Sequence, residues 1–475
     1  MTIPMNPILE KEIRTRLRGA RAFQLLFTYV LIQVLIVGGM MMMRGLTSSD
    51  MPLGQVGAMF WATTFWMQLG LVTLITPGLT SGLLVAEREQ QTLDTILLTG
   101  LKPADIVVGK LCSIAMFIVW LLAGSLPVTA IVFMTGGVAP AEILLAYVLL
   151  MFAAMVYGSI GIACSAVAKS QGKATLLAYV GAITVFIGTC IPAIPAIGMV
   201  YGGDSQVAYF SAINPLGAPG AAKFTEQYFG LSFPAWLISG VMNACIATLF
   251  TLLASHHLSG CQQRSAVLLR RVVFGMFVVL SALLGGAAKL SIGFIQLFAF
   301  IVPILLVATF GTGVRSAVTP QDSLWKRLFS GNDVVSGRLF AVATYTIGAV
   351  VMYGAHIAFR DAISYSDGHP FEPRALQQLL ISGFVNTIAM TAVAALAMRF
   401  ISGRWATLGF TIVGWATPMF ILGVLSAFLP SASSQALGFI AQTTVFDYSI
   451  EPRTSHWIVT AVAGVACGIV AKWKR

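Results

Sequence analysis

Long runs of residues without a charged side chain limit what this chain can fold into. Residues 57–85 contain no Asp, Glu, Lys or Arg, and residues 106–140 contain only Lys110. Both runs exceed the roughly 20 apolar residues that a helix needs to cross the hydrocarbon core of a bilayer. Only 9% of the whole chain is charged, against about 25% in a typical soluble protein. The sequence therefore predicts an integral membrane protein.

The apolar runs have the length of helices, whereas a β-barrel would show alternating segments of about 10 residues. We therefore predict an all-α integral membrane protein with about 12 transmembrane helices, a kink at Pro127, and re-entrant or interfacial helices within residues 202–233. The predicted spans are about 22–43, 57–85, 104–135, 141–168, 174–201, 234–255, 270–288, 291–314, 338–359, 378–400, 405–429 and 456–472.

The positions of the basic residues predict the orientation. An even number of crossings places both termini on one side, and most of the 28 Lys and Arg residues fall on that side. The opposite side receives only Arg44, Lys223, Lys289, Arg360, Arg374 and Arg453. Because Lys and Arg are enriched in cytoplasmic loops, we expect a multi-pass protein of the cell (cytoplasmic) membrane with both termini in the cytoplasm. The formal charge of +11 is thus explained by topology, and nucleic acid is not a predicted partner.

Residues 1–21 form a basic segment ahead of the first span. Pro7 suits the first position of a helix, acidic residues come early and basic residues come late, as the helix dipole favours. The pattern predicts a cytoplasmic amphipathic helix in the membrane interface that directs its arginines to anionic lipids. A basic tail that only sets the orientation is the alternative. The residues concerned are Glu12, Arg14, Arg16 and Arg18.

A charged insert, residues 86–100, separates the second and third predicted spans. Leu93, Ile96, Leu97 and Gly100 recur at helical spacing, and polar residues occupy the other faces. Gly100 suits a helix end, and Pro103 suits the start of the next helix. We therefore predict one short amphipathic helix beside the bilayer, with an ordinary capped loop as the alternative.

Nucleotide-binding and catalytic motifs are missing from the sequence. No G-x-x-x-x-G-K-[ST] is present, so the chain is not expected to bind ATP or to be an enzyme by itself. The six cysteines form no CxxC pair and predict neither disulfides nor a metal site. We expect no cofactor in this chain.

Two stretches resemble the ABC transporter permeases of the type-2 export family. They are Asn6-Pro7-Ile8-Leu9-Glu10-Lys11-Glu12-Ile13-Arg14, and the charged insert from Glu87 to Leu101 followed by Val108-Gly109-Lys110. Gln91 stands where that family usually has glycine, and Gly100 where it commonly has proline. In such proteins the helix after the second span is a coupling helix, which docks on a separate ATP-binding subunit that holds ATP and Mg. The resemblance implies partner contacts for Glu87, Arg88, Glu89, Thr92, Leu93 and Leu97.

The resemblance covers residues 6 to about 255, so residues 22–255 are expected to form a six-span permease domain. Residues 256–475 supply a second six-span region. Either the chain fuses two halves, the second degenerate, or the second region is an accessory domain and two copies form a homodimer through residues 22–255; we favour the latter. The resemblance implies the permease subunit of an ATP-driven exporter. A non-transporting scaffold or sensor driven by an ATPase, and an ATP-independent carrier, are the alternatives, and the sequence indicates no substrate.

Overall fold

The computed structural model describes residues 7–17, 20–46, 52–134, 136–190, 225–260, 263–287, 334–359 and 373–400, with a few isolated residues between them. The chain divides into two compact units. The first comprises Met1–Glu226 and Ser232–Ser265, and the second comprises Gln227–Leu231 and Ala266–Arg475.

The described residues form an all-α, multi-pass membrane protein with one small hairpin. The helices of the first unit are α1 (Pro7–Leu17), α2 (Ala20–Leu46), α3 (Leu53–Ser81), α4 (Leu83–Glu89), α5 (Leu93–Leu98), α6 (Pro103–Gly124), α7 (Leu126–Met134), α8 (Pro140–Val167), α9 (Gln171–Cys190) and α10 (Ala235–Leu258). Those of the second unit are α11 (Gln263–Gly285), which begins in the first, α12 (Val334–Phe359) and α13 (Pro373–Phe400).

Seven helical segments in the described part are long and apolar enough to cross a membrane. They are Ala22–Met43, Gly54–Glu89, Pro103–Gly124, Pro140–Val167, Ala235–Leu258, Ser265–Gly285 and Val335–Phe359. Helices α9 and α13 overlap two more of the predicted spans. The predicted spans at 291–314, 405–429 and 456–472 lie largely or wholly outside the described residues.

Helix α8 is at the centre of the first unit, where it packs against α3, α6, α9 and α10. Its close approach to α3 depends on Gly158 and Gly161, which are three residues apart and so lie on the same face. A Cβ at Gly161 would meet the Oγ1 atom of Thr80 and would lie 3.1 Å from the carbonyl oxygen of Pro77. Small residues at such contacts let membrane helices approach closely enough for backbone packing.

The predicted span 104–135 is divided into α6 and α7 at Ser125. Pro127 has no N–H to donate and its ring opposes the preceding turn, which accounts for the break. At the break, the Ser125 hydroxyl donates to the carbonyl of Leu122 at 2.6 Å and accepts from Nε2 of Gln68 on α3 at 3.0 Å. The Tyr147 hydroxyl of α8 lies 2.8 Å from Ser125 Oγ. Polar side chains of α3 and α8 thus bind the Ser125 hydroxyl at the break.

The described end of residues 202–233 differs from the predicted interfacial helices. Strands β1 (Thr225–Tyr228) and β2 (Leu231–Pro234) form a two-stranded sheet. Phe229 and Gly230 connect them with φ angles of 55° and 78°. Two consecutive positive φ values give a turn whose twist matches the twist of paired strands, so this part of the segment is a hairpin.

We predict that Gly161→Ala lowers the stability of the fold by about 1–3 kcal/mol, because the added methyl group overpacks the contact between α3 and α8. Gly70→Ala is the matched control, since a Cβ at Gly70 meets nothing within 4 Å and alanine favours a helix by about 1 kcal/mol over glycine. Thermal unfolding in detergent measures both. Equal unfolding midpoints for the two variants would contradict the assigned contact.

Candidate functional site

Lys110, the lone charged residue of its apolar run, is enclosed inside the first unit. Its residue exposure is 1%, and its ammonium group donates to Oε1 of Glu12 at 2.9 Å and to Oε1 of Glu87 at 2.7 Å. The two carboxylates come from α1 and α4, whereas Lys110 belongs to α6. A buried charge is tolerated only when opposite charges and hydrogen bonds compensate its lost hydration. Lys110 therefore joins three helices.

Helix α1 begins at Pro7, as predicted, and packs against α6. Glu12 and Arg16 point inward and lie 3.6 Å apart, between Oε2 and Nε. Burial lowers the pKa of the Arg16 guanidinium, and the nearby carboxylate of Glu12 opposes that shift. Arg14 is exposed and pairs with Glu10, whereas Arg18 lies outside the described residues. Of the three described residues in the predicted lipid-facing set, Glu12 and Arg16 thus serve an internal ion network.

Glu87, Arg88 and Glu89 form a charged triplet. Its last two residues bind the turn between α8 and α9. Arg88 donates to the carbonyls of Ala166 and Ala168 at 2.9 and 2.7 Å. Cations are favoured at this position, because the last carbonyls of a helix lack partners and carry partial negative charge. Glu89 accepts from the backbone N–H of Gln171 at 3.3 Å, at the start of α9. The triplet thus fastens α4 to α1, α6, α8 and α9.

Our prediction of a single helix over residues 86–100 is wrong, because the helix breaks after Glu89. Gln91 has φ 58°, its N–H bonds to the carbonyl of Arg88, and the N–H of Thr92 bonds to the carbonyl of Glu87. This pair of hydrogen bonds is the Schellman helix end, in which glycine usually takes the left-handed position. The chain therefore makes a short hydrogen-bonded turn between α4 and α5. Gly100, with φ 77°, follows α5 as predicted.

Helix α5 attaches to the unit by one face. Leu93 is buried, and Ile96 and Leu97 pack with it against an apolar cluster formed by Leu84, Ile106, Val107, Leu111, Ile162, Ala166, Ala254 and Leu258. The opposite face exposes Asp94, Thr95 and Leu98. Leu98 is 86% exposed. An apolar side chain on a polar surface marks an interaction site only together with other features.

The pocket lies between α1, α5 and the start of α6 and has a volume of about 420 Å³. Its apolar walls are Ile8, Ile96 and Leu101, and its charged lining includes the ion network. Oε2 of Glu87 is buried and has no hydrogen-bond partner among the described residues. The remaining lining residues are Lys11, Glu12, Thr99 and Lys110. The pocket therefore combines apolar walls with charged groups of both signs.

Sequence reasoning placed the six residues of the insert on a partner surface, and the structure distributes them differently. Leu93 is buried, Glu87 and Leu97 are half-buried, and Arg88, Glu89 and Thr92 are exposed. The inward role of Glu87 was detectable, since a lone lysine in an apolar run requires an acidic partner. The exposure of Leu98 was not, because Leu97 and Leu98 are equally apolar in the sequence.

Within the described residues, no three His, Cys, Asp or Glu side chains are grouped to hold a metal ion. The arrangement consists of ion pairs, helix-end contacts and an apolar anchor. Comparison with known proteins gives no match: no family model, no curated protein and no solved structure matches the chain.

We predict that Lys110→Met destabilises the first unit by about 3–5 kcal/mol, because it leaves two partly buried carboxylates without their cation. Lys173→Met is the control, since Lys173 is exposed. Thermal unfolding and the rate of tryptic cleavage in α1 are the measurements. Adding Glu87→Gln to Lys110→Met is expected to restore most of the loss, because Glu12 keeps Arg16 as its counter-charge and no uncompensated charge is left. A Lys110→Met protein as stable as the control would contradict this role.

Proposed function

We propose that this chain is the membrane subunit of an ATP-driven transporter, of the kind that the type-2 export permeases represent. The observation that supports the proposal is the segment α4–α5: three charged side chains fasten α4 to four helices, and α5 presents a polar face with one exposed leucine. Such a segment suits the transfer of motion from a soluble ATPase to transmembrane helices. The ATPase supplies the ATP and Mg sites that the sequence lacks.

In this proposal α5 is the docking element and α4 is the lever. A partner that pushes on Leu98, Asp94 and Thr95 moves α4 through the short turn at Gln91. Because Arg88 and Glu89 bind the α8–α9 turn and Glu87 binds Lys110, displacement of α4 is passed to the bundle. The exposed side chains of Arg88, Glu89 and Thr92 remain candidates for direct contact with the ATPase. Glu87, Leu93 and Leu97 lie on the side of α4 and α5 that faces the bundle and support the docking face.

The proposal keeps the twelve crossings, both termini in the cytoplasm, and a location in the cell membrane. It also keeps residues 22–255 as the permease domain, with a homodimer as the favoured assembly and residues 256–475 as an accessory region. The direction of transport is proposed as export by resemblance, and the cargo is left open. In this orientation the charged insert and Lys110 lie at the cytoplasmic end of the bundle, which faces the ATPase.

We predict that the chain co-purifies with an ATPase and that Leu98→Ala weakens the complex about 10- to 100-fold. Burying a leucine at an interface contributes about 1.5–3 kcal/mol, and each 1.4 kcal/mol changes the dissociation constant tenfold. Met134→Ala is the control, because Met134 is also 86% exposed but ends α7, far along the chain from α5. Absence of any ATPase from the purified wild-type protein would refute the proposal.

We predict that Arg88→Met lowers transport per ATP hydrolysed by roughly tenfold, because the α8–α9 turn loses its attachment to α4. Arg14→Met, on the exposed side of α1, is the control. Transport of candidate substrates and ATP hydrolysis are measured in the same reconstituted vesicles. ATP-dependent flux distinguishes the transporter from a scaffold, and equal coupling ratios for the two variants would exclude α4 as the lever.

A further inference from the structure

The junction between α3 and α4 has hydrogen bonds that the proposed function does not use. A single residue, Gly82, separates the two helices. We propose that this junction is a two-state hinge, at which α3 and α4 are either broken, as in the structure, or joined into one helix. Ser165 of α8 holds the broken state. The hinge follows from contacts within the first unit, and only its use as the axis of the lever rests on the proposed function.

The amide groups that begin α4 bond to a side chain of another helix. In an uninterrupted helix the N–H groups of Leu84 and Val85 would bond to the carbonyls of Thr80 and Ser81, four residues back. In the structure both N–H groups bond instead to the hydroxyl oxygen of Ser165, at 3.0 and 3.1 Å. A hydroxyl oxygen has two acceptor lone pairs, so one serine can accept from both donors. Ser165 thus takes the place of two carbonyls of α3.

The residues at the end of α3 weaken its last turns. Pro77 has no N–H to donate, and its ring opposes the preceding turn. The Thr80 hydroxyl donates to the carbonyl of Thr76 at 2.9 Å, and the Ser81 hydroxyl donates to the carbonyl of Gly78 at 3.1 Å. Such side-chain hydrogen bonds compete with those of the helix backbone and often bend helices. The local sequence therefore keeps the cost of interrupting α3 small.

The backbone of Gly82 is close to the conformation of either state. Its φ and ψ are −87° and −12°, each within about 30° of the α-helical values. Its N–H bonds to the carbonyl of Thr80, two residues back rather than four. A small rotation at this flexible residue therefore rejoins the helices and returns the N–H groups of Leu84 and Val85 to α3. Because these donors are bonded in both states, neither state carries the cost of an unsatisfied buried N–H.

Ser165 is the contact that must release when α4 moves. It lies four residues after Gly161 and so continues the face of α8 that contacts α3. Its side chain is short and fully buried, so it cannot follow a displaced helix. Bonds of 3.0 and 3.1 Å are lost beyond about 3.5 Å, so a shift of roughly half an ångström breaks them. Arg88 and Glu87 also bind α4 to the bundle, but their long side chains can follow such a shift.

The distance between two spin labels across the junction tests the proposal. The labels are introduced as non-natural residues at Leu74 on α3 and at Gln90 after α4, both of which are exposed. The full chain is studied in nanodiscs by double electron-electron resonance. A joined helix holds the two labelled positions about 24 Å apart along its axis, at 1.5 Å per residue, and the broken junction gives a separate distance. The populations of the two distances report the two states.

Ser165→Ala removes the acceptor that holds the broken state. It is expected to raise the ratio of the joined to the broken population about tenfold, because the broken state loses two hydrogen bonds. Ser159→Ala is the matched control. Ser159 is buried in the same helix, but its hydroxyl donates to the carbonyl of Val156 in α8 itself, so its removal is expected to leave the distances unchanged. A Ser165→Ala protein with the wild-type distances would overturn the hinge.

Amide hydrogen exchange distinguishes a hinge from a simple helix cap. In Ser165→Ala a hinge returns the N–H groups of Leu84 and Val85 to carbonyls of α3, so their exchange rates are expected to change by less than about threefold. A cap without a second state would leave both N–H groups without an acceptor. Exchange at least about tenfold faster at these two residues, with unchanged distances, would therefore overturn the proposal.

Gly82→Ala covers the case in which Ser165→Ala fails to fold. Alanine favours a helix over glycine by roughly fivefold, so the joined population is expected to rise by about that factor. A Cβ at Gly82 would lie 3.2 Å from Nε2 of Gln171, whose flexible side chain can withdraw. Gly70→Ala, within α3, is the control, because a Cβ there meets nothing within 4 Å. Equal distances in the two variants would show that the junction does not rejoin. No ATPase is needed, so the hinge can fail while the proposed function stands.

Discussion

An ammonium group that is withdrawn from water determines how the first unit is assembled. Lys110 is part of an apolar helix, and its charge is compatible with that position only because two carboxylates reach it. One of them, Glu12, is 98 positions away in the chain, and the other, Glu87, is 23 positions away. Dehydrating an ion costs several kcal/mol even after relaxation. The positions of α1 and α4 against α6 are therefore a condition for burying Lys110.

The stability of the attachment of α4 and α5 and the orientation of these helices have different sources. Leu84, Ile106 and Val107 are fully buried, and each such side chain contributes about 1.5–3 kcal/mol. A buried ion network, by contrast, is about neutral compared with well-packed apolar residues. The apolar cluster thus holds α4 and α5 on the bundle, while the ions fix their orientation. A segment that transmits motion, as proposed for α4 and α5, needs both a firm attachment and a fixed orientation. The apolar cluster supplies the first and the ion network the second.

The sequence predicted features that depend on local chemistry. The spacing of Leu93, Ile96 and Leu97 predicted that they share one face of a helix, and the end of α5 followed from Gly100. The hairpin at Phe229 and the break at Gln91 were missed, because neither phenylalanine nor glutamine favours positive φ. For Gln91 a signal was available, since the resembling family has glycine there, the residue that a Schellman end prefers.

Contacts between distant residues were harder to predict than local elements. A lone lysine in an apolar run requires an acidic partner, but the sequence does not show which of several acidic residues is that partner. Glu12 was assigned to a lipid-facing helix and Glu87 to a partner surface, because sequence spacing shows which residues share a face and does not show which face is covered. Only the packing of α1 against α6 resolves that choice.

The turn between α4 and α5 is a second route by which a force on α5 reaches the bundle, besides the apolar contacts of α5 itself. A flexible linker would absorb a displacement, since each unconstrained residue adds two soft backbone angles. Here the N–H groups of Gln91 and Thr92 bond back to the carbonyls of Arg88 and Glu87, so the turn has little freedom. Beyond it, Glu87, Arg88 and Glu89 each bind a different part of the bundle. A displacement of α5 is thus delivered through the backbone to residues that also hold α1, α6, α8 and α9, and no flexible segment intervenes.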